Sequence, residues 1–275
     1  MSGLQHSHLA IPLLGPNPER SLRAWRIGPF PLLIMLIVFV SSFSGGQELK
    51  RQDEAEVREE SVPLGQQLPT ANALRAPIKA QRAVERATAA MARNQPREAQ
   101  KQLAYALDLY PDYANALTLR AIWNMSANRV DSMKDLERAI QLDPAYGVAY
   151  AVLGSIYNDA ERYDDAFPLI QRAMQLLPSA WPVHYEMARA LGGKHRELEA
   201  LREVTEAERG MSVDTGANPT SRASVHYLRA MILVSQQDYA SAILEFQLTL
   251  KEEPGGDLVN RTNRILAQLE SQGIH

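Results

Sequence analysis

Apolar residues recur at helical spacing along the chain from about residue 80 onward. The pattern is clearest in residues 146–178, where apolar and small side chains follow one face of each of two successive segments and a proline ends the unit. These positions are Tyr150, Leu153, Gly154, Tyr157, Ala166, Ile170, Ala173 and Pro178. Intervals of three, four and seven residues place side chains on one side of an α-helix. The pattern therefore predicts two amphipathic helices joined by a short turn.

The same register returns along the chain. Pro144 and Pro178 are separated by about 34 residues, and five copies of the unit can be traced between residues 80 and 254. The second copy is one residue short, which predicts a deletion between its helices within Ser126–Val130. The fifth copy has small residues and a closing proline at the matching positions Ala230, Ala242 and Pro254. Residues 255–275 follow as an amphipathic segment, which predicts a helix that caps the last apolar surface.

These residues resemble the tetratricopeptide repeat (TPR). The family has large apolar residues on the first helix, small residues such as Gly154 and Ala166 where two helices approach closely, and a proline such as Pro178 after the second helix. The resemblance covers residues 80–272. It implies an all-α fold, a TPR helical solenoid, which we expect to be preceded by a single transmembrane helix.

The resemblance also implies a binding surface. In TPR proteins the first helices of the repeats line a concave groove that holds peptide segments or partner subunits. The matching positions here are Val84, Thr88, Thr118, Ile122, Ser155, Asn158, Tyr185, Arg189, Tyr227 and Met231. We expect Tyr185, Arg189 and Tyr227 to anchor a partner. Members that bind a C-terminal carboxylate carry Lys and Asn where this chain has Val84 and Thr88, so such a ligand is not expected.

Residues 27–46 carry no charge, and their sequence is IGPFPLLIMLIVFVSSFSGG. A helix of roughly 20 apolar residues spans a hydrocarbon core of about 30 Å. Arg20, Arg23 and Arg26 precede this segment, which favours a cytoplasmic N-terminus. The sequence predicts a cytoplasmic tail over 1–26, a transmembrane signal-anchor helix over 27–46 and a tether over 47–79. A cleaved signal peptide and a buried soluble helix are the alternatives.

The composition and the missing motifs exclude several kinds of active site and metal site. Cysteine is absent, so disulfides, thiolate metal sites and cysteine nucleophiles are excluded. The formal net charge of −3 provides no overall attraction to nucleic acid. The sequence has no phosphate-binding glycine loop, nucleophile elbow or HExxH motif, and His184 and His226 are interpreted as packed polar residues. We expect no enzyme activity, cofactor or metal.

Together these features predict a membrane-anchored scaffold or adaptor. It would bind a protein partner through the groove and take part in assembly or recruitment at the bacterial envelope. The predicted location is the inner membrane, with a single pass, a cytoplasmic N-terminus and the repeats in the periplasm. A self-associating structural protein, forming a homo-oligomer, and a cleaved soluble periplasmic binder are the alternatives.

Overall fold

The computed structural model describes residues 70–213, 218–253 and 255–274. The predicted tail, the predicted membrane helix over 27–46, most of the tether and Pro254 lie outside the described residues. Within these ranges the chain forms α-helices and no β-strand. None of the described helices combines the length and the apolar character needed to cross a bilayer.

Twelve helices follow one another in the described residues. Their bounds are α1 Ala71–Arg75, α2 Ile78–Ala92, α3 Pro96–Leu109, α4 Ala114–Asn124, α5 Arg129–Leu142, α6 Gly147–Asp159, α7 Tyr163–Leu176, α8 Trp181–Gly193, α9 Glu197–Val213, α10 Pro219–Ser235, α11 Tyr239–Glu252 and α12 Asp257–Ser271. The pairs from α2/α3 to α10/α11 form repeats 1 to 5. The second helices of repeats 1, 2 and 3 end two residues before Pro111, Pro144 and Pro178, because proline cannot continue a helix.

The repeats stack in sequence order. The two helices of each repeat pack against each other, and the second helix of each repeat contacts the first helix of the next. First helices of successive repeats also contact one another. Each repeat therefore touches mainly its neighbours, which is the arrangement of a solenoid.

Small residues occupy the places where the helices cross. Ala166, Ala173, Ala230 and Ala242 have no exposed surface. A Cβ atom added to Gly154 would lie 2.5 Å from Cγ1 of Ile170 on the facing helix. Large residues of the same register fill the spaces beside these contacts, with Leu153 buried and Tyr150 and Tyr157 half-buried.

The turn inside each repeat has a recurring geometry. Asn94, Glu161, His195 and Gln237 have φ angles of 54°, 59°, 55° and 64°, in repeats 1, 3, 4 and 5. In each case the next N–H donates to the carbonyl oxygen five residues earlier, which ends the first helix. Repeat 2 has no residue with positive φ at its turn, and its first helix spans 11 residues, compared with 13 in repeat 3. The residue missing from repeat 2 is therefore accommodated at this turn.

The start of the described chain is packed rather than free. Helix α1 and the first residues of α2 fall within residues 47–79, which the sequence assigned to the tether. The Asn72 amide donates to the carbonyl of Asp112 at 2.8 Å, and its oxygen accepts from the N–H of Ala114 at 3.0 Å. These two bonds hold α1 against the beginning of α4. At the other end of the array, α12 packs against α11.

Candidate functional site

The first helices of the repeats carry all ten residues that the sequence assigned to the groove. We call this set the first-helix face. Val84 and Thr88 lie on α2, Thr118 and Ile122 on α4, Ser155 and Asn158 on α6, Tyr185 and Arg189 on α8, and Tyr227 and Met231 on α10. All ten are buried, with exposed fractions of at most 8 %. Contact between successive first helices contributes to this burial.

Two threonines of the face are satisfied within their own helices. Thr88 Oγ1 donates to the carbonyl oxygen of Val84 at 2.9 Å, and Thr118 Oγ1 donates to that of Ala114 at 2.9 Å. A hydroxyl that donates to a carbonyl oxygen of its own helix already has a hydrogen-bond acceptor. Repeats 1 and 2 therefore present a largely apolar part of the face.

Repeats 3 and 4 contribute a buried polar cluster, formed by Ser155, Asn158, Asp159, Glu186 and Arg189. Ser155 Oγ donates to Glu186 Oε1 at 3.0 Å. The Asn158 amide donates to Glu186 Oε2 and to the Glu186 carbonyl oxygen, both at 2.9 Å. Because Ser155 and Asn158 lie on α6 and Glu186 lies on α8, these bonds join two successive repeats.

Arg189 completes this polar cluster. It donates to both Glu186 oxygens, at 3.2 and 3.0 Å, and to Asp159 Oδ1 at 2.8 Å. Burial acts to lower the pKa of Arg189, but the charges of Glu186 and Asp159 raise it above its ordinary value. The guanidinium is therefore a fixed buried cation whose bonds are directed to the protein itself. The role of Arg189 as a partner anchor stays a prediction, and it would require these bonds to rearrange.

Three buried polar atoms beside these bonds have no hydrogen-bond partner among the described residues. They are the hydroxyl of Tyr185, the amide oxygen of Asn158 and Oδ2 of Asp159. Oδ2 of Asp159 lies 3.5 Å from the guanidinium of Arg129, which forms an ion pair with it. Tyr185 has no exposed surface, and burial raises the pKa of its hydroxyl, so the group stays protonated. Buried polar atoms are usually paired, so each of these atoms calls for a physical explanation.

Tyr227 lies one repeat further along the face. Its ring meets Phe246 edge-on, with centroids 5.8 Å apart, and burial raises the pKa of its hydroxyl to about 12. This contact joins the two helices of repeat 5. Tyr227 therefore contributes to the packing of its own repeat.

The two histidines that the sequence singled out make equivalent contacts. Nδ1 of His184 lies 2.7 Å from Glu203, and Nδ1 of His226 lies 2.7 Å from Glu245, in each case across the two helices of one repeat. Within the described ranges, no three His, Asp or Glu side chains are grouped so that they could hold a metal ion.

A surface cavity of about 510 Å³ lies apart from the first-helix face. It is lined by residues 161–165, Gly193 and Lys194, at the turns inside repeats 3 and 4. None of the residues predicted for binding lines this cavity. Its lining carries both signs of charge, and Lys194 is paired with Asp164.

Sequence reasoning missed Glu186 and Asp159, whose carboxylates accept the hydrogen bonds of Arg189 and balance its charge. The spacing of Glu186 and Arg189 is the one available signal, since residues three apart on a helix are neighbours. Asp159 comes from the preceding repeat. Its contact with Arg189 depends on how two repeats stack, and no local pattern in the sequence records that.

Comparison with protein families supports the repeat assignment. The family model of the tetratricopeptide repeat matches residues 84–132. A comparison with curated protein sequences gives no match.

Solved structures show the same fold at low sequence identity. The APC/C hetero-tetramer Cut9–Hcn1 is similar with a TM-score of 0.63 and 15 % identity, over 73 % of this chain and 38 % of that one. TTC0263, a thermophilic TPR protein of Thermus thermophilus, is similar with a TM-score of 0.53 and 15 % identity, over 69 % of this chain and 98 % of that one. MamA of Desulfovibrio magneticus RS-1, from its residue 41 to its end, is similar with a TM-score of 0.50 and 15 % identity, over 66 % of this chain and 99 % of that one. The described part of the chain is an all-helical solenoid of the tetratricopeptide-repeat type.

Proposed function

We propose that this array is a protein-binding scaffold whose partner contacts the first-helix face at repeats 3 and 4. The observation that carries the proposal is that two neutral buried polar groups of this face lack a hydrogen-bond partner, the Tyr185 hydroxyl and the Asn158 amide oxygen. An unpaired buried group costs about 1–3 kcal/mol, which a bound partner that completes the hydrogen bonds would recover. Because both atoms are buried, the partner reaches them only when the side chains that cover them move aside. The fold supports the proposal, because stacked repeats offer an extended surface for protein ligands.

The unpaired atoms define the chemistry of the ligand. The Asn158 oxygen can only accept a hydrogen bond, whereas the Tyr185 hydroxyl can donate one or accept one. A peptide backbone supplies an N–H donor and a C=O acceptor at close spacing. Arg189 is neutralised by Glu186 and Asp159, so the surface has no free cation for a terminal carboxylate at this point. An internal peptide segment therefore fits better than a C-terminus.

The substitution Tyr185→Phe tests this proposal, because it removes a single oxygen atom. In-cell crosslinking of the full chain followed by mass spectrometry names candidate partners, and each purified candidate is then titrated by calorimetry. Affinity should fall by roughly two- to tenfold in the variant. The free energy of unfolding should not fall, because the hydroxyl has no internal bond to lose. Tyr150→Phe, at a half-buried tyrosine outside the face, is the control. Equal affinities for wild type and Tyr185→Phe would refute the proposed face.

We further propose that residues 27–46 anchor the chain in a bacterial membrane, with the repeats on the periplasmic side. The support is the length and apolar character of the segment and the arginines before it. The full chain should remain with the membranes after carbonate extraction, whereas the double variant Leu36→Arg, Ile37→Arg should be released. N-terminal sequencing of the protein from cells distinguishes an anchor from the cleaved soluble form.

Self-association is a second candidate function. Leu244 and Leu248 lie four residues apart on α11 and are 62 % and 39 % exposed. An exposed apolar pair of this kind can form part of a contact between copies. The Cut9–Hcn1 structure is described as a hetero-tetramer, so a solenoid of this fold can take part in an assembly. Light scattering of the detergent-solubilised full chain, compared with Leu244→Ser, tests this alternative.

A further inference from the structure

The start of the described chain, which comprises α1 and repeat 1, differs in charge from the rest of the chain. Residues 70–110 contain seven basic and three acidic residues, although the whole chain has a net charge of −3. The basic residues are Arg75, Lys79, Arg82, Arg86, Arg93, Arg97 and Lys101. A local excess of one sign in a chain of the opposite net charge points to a surface with a specific counterpart.

All seven of these basic side chains are exposed. Later repeats use many of their cations in ion pairs, such as Arg120 with Asp135 and Arg229 with Glu208. Over the described part of the chain, no ion pair involves any of the seven. Their charges are therefore available to an external ligand.

Four of the seven form a stripe along α2 and its C-terminal cap. Lys79, Arg82 and Arg86 lie on α2 at intervals of three and four residues, and Arg93 caps the helix seven residues after Arg86. At helical spacing these four positions fall within an arc of about 60°. Ala80, Ala83 and Ala87 are buried on the side that faces the array. Helix α2 opens the first repeat, and none of the described repeats precedes it. The stripe thus belongs to the end of the solenoid.

Two exposed aliphatic side chains lie close to this stripe in the sequence. Leu74 and Ile78 are 67 % and 66 % exposed, and Arg75 and Lys79 follow them directly in the sequence. Aliphatic residues flanked by cations are typical of protein surfaces that contact the headgroup region of a membrane. A purely acidic protein surface would not explain the two aliphatic residues.

The position of this surface in the chain agrees with a membrane contact. Residues 47–69 separate it from the apolar segment 27–46, and a chain of that length can extend to at most about 80 Å. An anchored array would therefore stay within reach of the bilayer, at a high effective concentration. This step rests on the proposed anchor, whereas the charge and exposure of the surface do not.

We propose that the basic end face, formed by Leu74, Arg75, Ile78, Lys79, Arg82, Arg86 and Arg93, docks on anionic phospholipid headgroups. The cations contact the phosphates, and Leu74 and Ile78 enter the headgroup layer. Docking of one end would orient the solenoid on the bilayer and leave repeats 3 and 4 accessible to a partner.

The experiment uses the full chain reconstituted into vesicles of phosphatidylcholine alone, or with about 30 % phosphatidylglycerol. Because the chain has no cysteine, a single cysteine in place of exposed Ala92 can carry a fluorophore, and a headgroup-linked quencher reports its distance from the bilayer. A cysteine in place of exposed Gln272, at the other end of the array, is the positional control. Quenching at residue 92 should rise about threefold with the anionic lipid and fall again in about 0.5 M salt.

A charge variant and a matched control identify the surface. The charge variant carries Arg75→Gln, Lys79→Gln, Arg82→Gln and Arg86→Gln. The matched control has the same change in net charge at exposed cations of later repeats, Lys134→Gln, Arg138→Gln, Arg172→Gln and Arg209→Gln. The charge variant should lose the lipid-dependent quenching, and the matched control should keep it.

Flotation of the same samples separates this inference from the proposed anchor. Flotation with phosphatidylcholine vesicles tests residues 27–46, and the additional binding to anionic vesicles tests the basic end face even if the anchor fails. Equal quenching in both lipids, or unchanged quenching in the charge variant, would overturn the inference. An acidic protein that binds wild type but not the charge variant, without any lipid effect, would also overturn it.

Discussion

The imidazole of His184 lies between two hydrogen-bond acceptors, one of them the carboxylate of Glu203. Nδ1 is 2.7 Å from a Glu203 oxygen, and Nε2 is 3.0 Å from the carbonyl oxygen of Pro178. A ring that donates at both nitrogens must carry both protons. In its protonated form, His184 therefore joins the end of repeat 3 to both helices of repeat 4.

The free energy of unfolding should depend on the charge of His184. Burial, the largest influence, lowers its pKa, but the bonds to Glu203 and Pro178 and the charges of Glu203 and Glu206 raise the pKa above its ordinary value overall. When the folded pKa exceeds the unfolded one, the stabilisation is complete below the unfolded value of about 6.5 and is lost as pH rises through the folded value. Urea unfolding between about pH 5.5 and 9 should show this loss.

His184→Gln should flatten this part of the pH profile, because glutamine does not titrate. His195→Gln is the control, since the side chain of His195 is 78 % exposed. If the free energy of unfolding depends on pH in the same way in wild type and His184→Gln, the assignment of this dependence to His184 is wrong.

Removing Arg189 should destabilise the array strongly. Arg189→Ala leaves Glu186 and Asp159 buried without their cation, and breaking a buried pair in this way costs about 3–5 kcal/mol. Urea denaturation followed by circular dichroism measures the loss. Lys134→Ala should have little effect, because the Lys134–Asp131 pair is 69 % and 62 % exposed. A small effect of Arg189→Ala would mean that these polar bonds do not hold repeats 3 and 4 together.

Gly154→Ala should overpack the contact between α6 and α7. The added Cβ would lie 2.5 Å from Cγ1 of Ile170, and overpacking costs about 1–3 kcal/mol. The higher helix propensity of alanine, worth up to about 1 kcal/mol, offsets only part of this cost. The thermal midpoint should therefore fall. Gly255→Ala meets no atom within 4 Å and should leave the midpoint unchanged.

The turn inside repeat 5 offers a stabilising substitution. Gln237 has a φ of 64°, a conformation that costs a residue with a Cβ atom about 1–2 kcal/mol and glycine very little. Gln237→Gly should raise the free energy of unfolding by up to about 1 kcal/mol. The neighbouring Gln236 has a φ of −83°, so Gln236→Gly should not stabilise the protein. A Gln237→Gly variant that is no more stable than wild type, or a Gln236→Gly variant that is more stable, would contradict the assignment of backbone strain to Gln237.

The helices of the array could be predicted because their signal is local. The spacing of Tyr150, Leu153 and Gly154 fixes one helix face, and Pro178 ends the unit. The missing residue of repeat 2 could also be located, since only the turn tolerates a change in length. The docking of α1 by Asn72 could not be predicted, because its partners lie about forty residues away in the sequence.

The candidate site could be predicted only as a set of positions. The ten residues do lie on the first helices, as the repeat register requires. Their burial and bonding state depends on the stacking of neighbouring repeats, which brings Asp159 of repeat 3 within 2.8 Å of Arg189 of repeat 4. The sequence therefore predicts an unpaired Arg189 that is available to a partner, whereas in the structure Arg189 is buried and paired with Glu186 and Asp159.

The sequence by itself determined the class of fold, the number of repeats and the face of each first helix, because periodic side-chain spacing within about ten residues decides these features. The tertiary structure decided which polar groups are satisfied. It paired Arg189 with Glu186 and Asp159, left the Tyr185 hydroxyl without a described partner, and left the cations of repeat 1 exposed. The physical reason is that hydrogen bonds and ion pairs act between atoms a few ångströms apart in space, and stacking sets those distances.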